Sequence, residues 1–123
     1  MAFCILAMFK NESEILKEWI EHYINEGCSK FILIDNGSTD DYLPILDNYK
    51  EYIHLIVDTR KHAQEEIYNK YFRLSCKVYP WTIICDLDEF IYSRRQFRTI
   101  RHYLESVTGN VSQISINWKL FGS

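Results

Sequence analysis

The chain has 123 residues and a net charge of −3, with 47% hydrophobic and 25% charged residues. Its length is that of one domain with its own core, and its composition excludes disordered, collagen-like and coiled-coil chains. Because nucleic-acid binding needs a basic face, the negative charge argues against a nucleic-acid partner. No apolar run reaches the ~20 residues of a membrane span. We therefore predict one globular domain over residues 1–123 that neither binds nucleic acid nor spans a membrane.

The N-terminal stretch and the cysteines point to a reducing compartment. MAFCILAMFK has no positive segment before its apolar run, so it predicts a first strand rather than a signal peptide. The cysteines, at positions 4, 28, 76 and 85, show no C-x-x-C spacing, and three of them lie in apolar stretches. We expect free thiols, most of them buried, and a cytoplasmic location.

The first half of the chain alternates apolar runs with helical patterns. Residues 3–9 predict a strand covered on both faces. Asn11 is expected to cap a helix, with Glu14 completing a capping box, and apolar residues recur at helical spacing from Ile15 until Gly27 ends the helix. Residues 31–34 predict a second strand, which closes in Asp35 and a polar turn. A short helix follows from about residue 41, with Pro44 in its first turn.

The second half continues the alternation. Residues 53–57 and 81–85 predict two more strands, and a helix over residues 63–78 lies between them, with a buried stripe of Ile67, Tyr71, Leu74 and Val78. Alternating strands and helices predict a mostly parallel sheet flanked by helices, an α/β fold. A short helix near residues 100–107 and an alternating strand over residues 114–120 complete the chain. That last strand would form a sheet edge able to pair with a second copy, giving a homo-oligomer.

The four predicted strands of the alternating region all end in polar or charged residues. These ends are Lys10-Asn11-Glu12, Asp35-Asn36, Asp58-Thr59-Arg60 and Asp86-Leu87-Asp88. Parallel strands bring their carboxyl ends to one edge, where ligands of such sheets bind. For Asp35, Asp40 and Asp58 taken singly, turn formation and helix capping explain the residue at least as well as a binding role.

Three carboxylates, Asp86, Asp88 and Glu89, follow the last of these strands. Like charges this close are unfavourable unless a cation lies among them or one group is protonated. In an extended D-x-D segment both aspartates point the same way, and such oxygen ligands suit Mg²⁺ or Mn²⁺ bridged to a diphosphate. The alternative is a Mg²⁺-dependent phosphatase of the haloacid-dehalogenase type, with Asp86 as nucleophile. The motif of that type has Thr or Val where this chain has Phe90, and it follows the first strand rather than the fourth.

Ordered motifs along the whole chain resemble the GT-A glycosyltransferases, in particular the family 2-like and family 92 branches. They are Lys10-Asn11-Glu12, IDNGSTD at residues 34–40, Gln64, DLDEFI at residues 86–91, and W-x-x-FGS at residues 118–123. The resemblance implies a GT-A-like, Rossmann-like domain that transfers a sugar from a nucleotide diphosphate sugar, most often a UDP-sugar, to an acceptor hydroxyl with inversion. The acceptor would be a glycan, a lipid or a protein.

The resemblance also implies roles for particular residues. The nucleoside would contact residues of the first two strand ends, namely Lys10, Asn11, Glu12, Asp35 and Asn36. Asp88 would bind Mn²⁺ or Mg²⁺ directly, and Asp86 would face the ribose or bind the metal through water. Gln64 would reach the phosphates or the base, with a solvated position as the alternative.

Inverting transfer also needs a general base beside the acceptor hydroxyl. No acidic residue follows Glu105, and Glu89 is the only carboxylate in a suitable place, where a neighbouring metal would lower its pKa and weaken it as a base. Glu89 is therefore the catalytic candidate. The chain would otherwise be a fragment truncated at its C-terminus, or a module that binds a nucleotide sugar without transferring it.

Overall fold

A computed structural model of the protein describes residues 3–93 and 97–107. Along the chain these residues form strand β1, helix α1, strand β2, helix α2, a 3₁₀ turn, strand β3, helix α3, strand β4 and helix α4. The elements are β1 Phe3–Phe9, α1 Ser13–Asn25, β2 Lys30–Asp35, α2 Leu43–Asp47, the 3₁₀ turn Lys50–Tyr52, β3 Ile53–Val57, α3 Gln64–Ser75, β4 Trp81–Ile84 and α4 Ile100–Ser106. The alternation predicted from the apolar runs is confirmed.

Within these described ranges the four strands form an all-parallel sheet in the order β3-β2-β1-β4. Side chains of β1 alternate between two cores. Phe3, Ile5, Ala7 and Phe9 pack with residues of α1, α2 and α4, whereas Cys4 and Leu6 pack with Ile67 and Tyr71 of α3. The fold is therefore an α/β arrangement with helices on both faces of a parallel sheet, as predicted.

Helix α1 ends where the sequence predicted, in a glycine turn. Gly27 has φ +92, the Gly27 amide donates to the Ile24 carbonyl, and the Cys28 amide donates to the Tyr23 carbonyl. This pair of hydrogen bonds is a Schellman motif, which requires a left-handed residue at the glycine position. The turn directs the chain from α1 into β2.

Three local predictions were wrong. Asn11 does not cap α1, because its φ of 54 places it outside the helix, and the N-cap position, Glu12, makes no side-chain capping bond. Helix α3 ends at Ser75 rather than at residue 78, and Leu74 and Val78 are 54% and 56% exposed instead of buried. Helical periodicity does not reveal where the sheet beneath a helix ends, so it assigned these two side chains to the core.

The cysteines match the sequence prediction. Cys4, Cys28 and Cys85 are buried and Cys76 is exposed, all as free thiols. Burial raises the pKa of Cys28 and Cys85 to about 12, so both thiols stay protonated at neutral pH. In the part of the chain that the structure describes, none of the helices has the length and hydropathy of a membrane span. The predicted strand at residues 114–120, and with it the proposed pairing edge, lies outside the described residues.

Candidate functional site

The candidate site lies at the carboxyl edge of the sheet, between β1 and β4. From β1 the sheet extends to β2 and β3 on one side and to β4 on the other. Strand order therefore reverses between β1 and β4, and ligands of open parallel sheets bind in the crevice outside such a reversal. Leu6 is paired with Ile84, so the residues that follow β4 run beside the end of β1. The sheet thus brings residues 10–12 near residues 85–91. We call residues 85–91 the acidic loop.

Carboxylates of the acidic loop and of the β1 end repel one another. Partial desolvation, together with the charges of Glu89 and Asp88, raises the pKa of Asp86. Burial, together with the charges of Asp88 and Asp86, raises the pKa of Glu12. The Glu12 Oε2 atom is buried and has no hydrogen-bond partner among the described residues. These groups therefore share one electrostatic environment, in which a cation would be favourable.

Glu89 closes the acidic loop on itself. Its Oε1 accepts a hydrogen bond from the Asp86 amide at 2.8 Å, and its own amide donates to the Asp86 carbonyl at 3.1 Å. This reciprocal pair fixes the turn that carries Asp88, while Asp86 and Asp88 are exposed. The role of Glu89 as a catalytic base stays a prediction. One of its carboxylate oxygens already accepts a hydrogen bond that holds the loop.

Helix α1 provides contacts to the acidic loop that the sequence interpretation missed. The indole Nε1 of Trp19 donates to the Asp86 carbonyl at 3.1 Å, and the Tyr23 hydroxyl donates to the Glu89 carbonyl at 2.8 Å. Both side chains are fully buried and belong to the apolar helical pattern that begins at Ile15, which by itself predicts only packing in the core. The available signal was chemical: a buried Trp or Tyr needs a partner for its polar atom.

The loops that follow β1 and β2 are joined through Asn11. Its Oδ1 accepts hydrogen bonds from the backbone amides of Thr39, at 2.7 Å, and Asp40, at 3.2 Å. The backbone amide of Asn11 donates to the Ser38 hydroxyl at 2.9 Å. The left-handed backbone at Asn11 directs the side chain toward this second loop. Asn11 therefore has a structural role at the site edge, in addition to the nucleoside contact predicted for it.

Asp35 is the most buried of the predicted site residues, at 6% exposure. Its Oδ1 accepts from the Gly37 and Ser38 amides, and its Oδ2 accepts from the Tyr42 hydroxyl at 2.6 Å. Burial alone would raise the pKa of Asp35, but the hydrogen bonds from Tyr42, Ser38 and Gly37 hold it below its ordinary value. Asp35 organises the turn after β2, and its predicted contact with a nucleoside stays a prediction.

Asn36 connects the ends of β2 and β3. Its Nδ2 donates to the Asp58 carbonyl at 2.7 Å and to the Arg60 carbonyl at 3.0 Å. The Arg60 guanidinium in turn binds both carboxylate oxygens of Asp58, at 2.8 and 2.9 Å, and these bonds lower the pKa of Asp58 to about 2. The basic group nearest β3 is thus already paired with an acid.

Lys10 and Gln64 are exposed at this edge. Gln64 is the first residue of α3, as the sequence predicted. Among residues 3–93 and 97–107, no hydrogen bond or ion pair joins either side chain to the other predicted site residues. Their predicted contacts with a donor stay predictions.

The donor atoms at this edge suit a hard divalent cation, because carboxylate oxygens are the ligands that Mg²⁺ and Mn²⁺ prefer. The orphaned Glu12 oxygen and the raised pKa of Asp86 fit such an ion. In the described part of the chain, however, no three His, Cys, Asp or Glu side chains are grouped closely enough to hold a metal ion. The predicted metal site therefore has suitable donors without a formed set of ligands.

The parallel sheet flanked by helices, with acidic residues at its strand-order reversal, defines an open α/β domain. The family model for glycosyltransferase family 92 matches residues 1–122. This chain belongs to glycosyltransferase family 92. The resemblance to GT-A glycosyltransferases inferred from the motifs is thereby confirmed.

A glycosyltransferase family 92 protein from Ricinus communis is similar to this chain. The two are 26% identical over 78 residues, which is 63% of this chain and 11% of that protein. The chain thus matches only a small part of the length of this curated relative.

Proposed function

We propose that this chain acts in a metal-dependent glycosyltransferase, which moves a sugar from a nucleotide diphosphate sugar, a UDP-sugar, to an acceptor hydroxyl with inversion. The acceptor is a hydroxyl of a glycan, a lipid or a protein. Membership of family 92 supports transfer of a sugar. The observation that favours this donor is the set of mutually repelling carboxylates, Glu12, Asp86 and Asp88, at the strand-order reversal.

Asp86 and Asp88 are the proposed metal residues, with Asp88 in direct contact with Mn²⁺ or Mg²⁺. Sites for Mg²⁺ generally use one or two carboxylates, several waters and the substrate phosphates, so two aspartates are a sufficient protein contribution. When bound, such a cation stabilises the negative charge that develops on a diphosphate leaving group. Glu12 would lie beside this pair, and its unpartnered oxygen supports a place near the cation or its waters.

The remaining predicted residues are proposed to hold the rest of the donor. Lys10 and Asn36 would contact the nucleoside or its phosphates from the ends of β1 and β2, and Gln64 would reach the phosphates from the start of α3. Asn11 and Asp35 would act chiefly by fixing the shape of the loop after β2, because their side-chain oxygens already accept hydrogen bonds from that loop.

Titration calorimetry with UDP and Mn²⁺ tests this proposal. We expect UDP to bind only when Mn²⁺ is present, and Asp88→Ala to weaken this binding by at least tenfold. Asp47→Ala is the matched control, because Asp47 is an exposed aspartate, its side chain 66% exposed, whose only ion pair among the described residues is with the exposed Lys50. UDP binding that does not depend on Mn²⁺, or equal UDP binding by Asp88→Ala and the control variant, would overturn the proposal of a metal-assisted donor site.

A module that binds the nucleotide sugar without transferring it is the second candidate. The hydrogen bond between Glu89 Oε1 and the Asp86 amide favours it, since it withdraws the only carboxylate proposed as a base. Incubation with UDP-sugars, Mn²⁺ and a panel of hydroxyl acceptors separates the candidates. Metal-dependent binding without release of UDP supports the silent module, whereas UDP release that is lost in Glu89→Gln supports catalysis by Glu89.

The same preparation tests the phosphatase alternative with p-nitrophenyl phosphate and Mg²⁺. We expect no release of phosphate. Release that disappears in Asp86→Asn would instead support Asp86 as a phosphatase nucleophile.

A further inference from the structure

Three side chains of α1 and that of its C-cap residue, Glu26, contact the acidic loop and the segment that follows it. Trp19, His22, Tyr23 and Glu26 have the spacing i, i+3, i+4 and i+7, which places them along one stripe of a helix. Their partners are backbone groups between Asp86 and Ile100. Trp19 Nε1 contacts the Asp86 carbonyl, the Tyr23 hydroxyl contacts residues 89 and 91, His22 Nε2 contacts the Ile91 carbonyl, and Glu26 Oε1 contacts the amides of Ser93 and Ile100.

Tyr23 is the centre of this stripe. Its side chain is 0% exposed, and its hydroxyl donates to the Glu89 carbonyl at 2.8 Å while accepting from the Ile91 amide at 2.8 Å. One oxygen atom thus joins the backbone on both sides of Phe90. Burial keeps water from replacing the hydroxyl, so its removal leaves a buried carbonyl and a buried amide without a partner.

These contacts bracket the two aspartates of the loop. Trp19 fixes the carbonyl of Asp86, and Tyr23 fixes the carbonyl of Glu89, the residue after Asp88. Asp86 and Asp88 themselves are exposed, so packing around their own side chains does little to hold them. The loop backbone from Asp86 to Glu89, held at one end by Trp19 and at the other by Tyr23, therefore determines where the two carboxylates lie.

We propose that Tyr23 is a positioning residue for the metal and donor site, and that it acts through the backbone of the acidic loop. This inference depends on the proposed function, because it concerns the affinity of the Asp86 and Asp88 pair for a divalent cation. Functional groups must be held to within about 0.5 Å of their productive geometry by the residues behind them. Loss of a supporting hydrogen bond around a metal site typically costs about 10- to 100-fold in metal affinity or activity.

The test compares Tyr23→Phe with Tyr52→Phe in the 123-residue chain. Both changes remove one hydroxyl and keep the ring, but Tyr52 is only partly buried and packs against the same core away from the loop. Mn²⁺ affinity in the presence of UDP is measured by calorimetry or by the paramagnetic resonance of free Mn²⁺, at a temperature where both variants are fully folded. Hydrogen exchange of the Ile91 amide is measured on the same samples.

We expect Tyr23→Phe to weaken Mn²⁺ binding about 10- to 100-fold and to speed exchange of the Ile91 amide, whereas Tyr52→Phe changes neither. A purely structural role would lower the melting temperature but leave the Mn²⁺ affinity of the folded protein unchanged. Wild-type binding with unchanged affinity in Tyr23→Phe would overturn the positioning role alone. Absence of Mn²⁺-dependent binding in the wild type would overturn both this inference and the proposed function.

His22→Phe provides a second variant if Tyr23→Phe does not fold. It keeps an aromatic ring against Tyr23 and Phe90 but removes the hydrogen bond from Nε2 to the Ile91 carbonyl, 2.7 Å long. Because His22 is partly exposed, this change disturbs the core less. Weaker Mn²⁺ binding in His22→Phe supports positioning by the α1 stripe, and unchanged binding contradicts it.

Discussion

Asp40 caps helix α1 from a different loop, 27 residues further along the chain. Its Oδ2 accepts a hydrogen bond from the amide of Ser13, the first residue of the helix, at 3.0 Å. The N-cap position itself, Glu12, makes no side-chain capping bond, so a neighbouring strand end provides what the local sequence does not. The carboxylate also places a negative charge at the positive end of the helix dipole. Asp40 thereby connects the turn after β2 with the loop after β1.

Asp40→Ala should lower the free energy of unfolding by about 1 kcal/mol, the usual cost of losing a helix cap. The adjacent Asp41→Ala is the matched control, because Asp41 is exposed and its loss should change stability by less than about 0.5 kcal/mol. Urea denaturation of both variants measures the difference. Equal losses in the two variants would show that Asp40 does not cap the helix.

Asn11 gives a second test of the same connection, because its side chain and its backbone act separately. Asn11→Ala removes the acceptor of the Thr39 and Asp40 amides and should cost about 1–2 kcal/mol. Asn11→Gly also removes the acceptor but relieves the left-handed backbone, φ 54, and should be more stable than Asn11→Ala by roughly 1 kcal/mol. Denaturant midpoints distinguish the two effects. Equal stability of the alanine and glycine variants would contradict a left-handed backbone conformation at residue 11.

The strands and most helix positions could be predicted from the sequence, because the strands of a parallel sheet flanked by helices are formed by apolar runs. The runs at residues 3–9 and 53–57 match β1 and β3 to the residue. Local signals were less reliable where a distant segment competes. Asn11 has the chemistry of a helix cap, but the loop after β2 offers its carboxamide two amide donors, and the cap is supplied by Asp40 instead.

The supporting half of the candidate site could not be predicted, for a related reason. Trp19 and Tyr23 fit the apolar stripe of α1, and their spacing says nothing about where an indole nitrogen or a phenolic oxygen points. Their partners are backbone groups more than 60 residues away, Asp86 and Glu89. Every residue type has a backbone carbonyl, so no residue pattern marks such a contact. The acidic residues were visible from the sequence, whereas the atoms that hold their backbone were not.

Gly27 and Gly37 form a natural pair for testing how α4 docks. Both have positive φ, +92 and +100, but a Cβ at Gly27 would lie 2.5 Å from the Cβ of Arg101, whereas a Cβ at Gly37 would meet no atom of the described residues within 4 Å. Gly37→Ala should cost about 1–2 kcal/mol from the backbone alone. Gly27→Ala should cost clearly more, because α4 must also move away from the end of α1. Thermal and urea unfolding compare the two variants, and equal costs would contradict close packing of α4 at Gly27.

Tyr42→Phe should make the stability of the protein less dependent on acid pH. The pKa of Asp35 is lowered in the folded state, so its ionised carboxylate stabilises the fold above the unfolded pKa of about 3.9, and this contribution is lost as the pH falls through the folded pKa. Removing the Tyr42 hydroxyl, 2.6 Å from Asp35 Oδ2, raises the folded pKa toward its usual value. At neutral pH the variant should lose roughly 1.5–3 kcal/mol, the range for a hydrogen bond to a charged group.

The difference between wild type and Tyr42→Phe should therefore be largest near pH 7 and should shrink below about pH 4, as Asp35 becomes protonated in both proteins. Urea denaturation from pH 2.5 to pH 7 measures this difference directly. Tyr103→Phe is the control, because its ring is 36% exposed and lies on α4, away from the turn after β2, so its curve should follow the wild type. A Tyr42→Phe deficit that stays constant across this pH range would mean that the hydroxyl stabilises packing rather than the ionised carboxylate of Asp35.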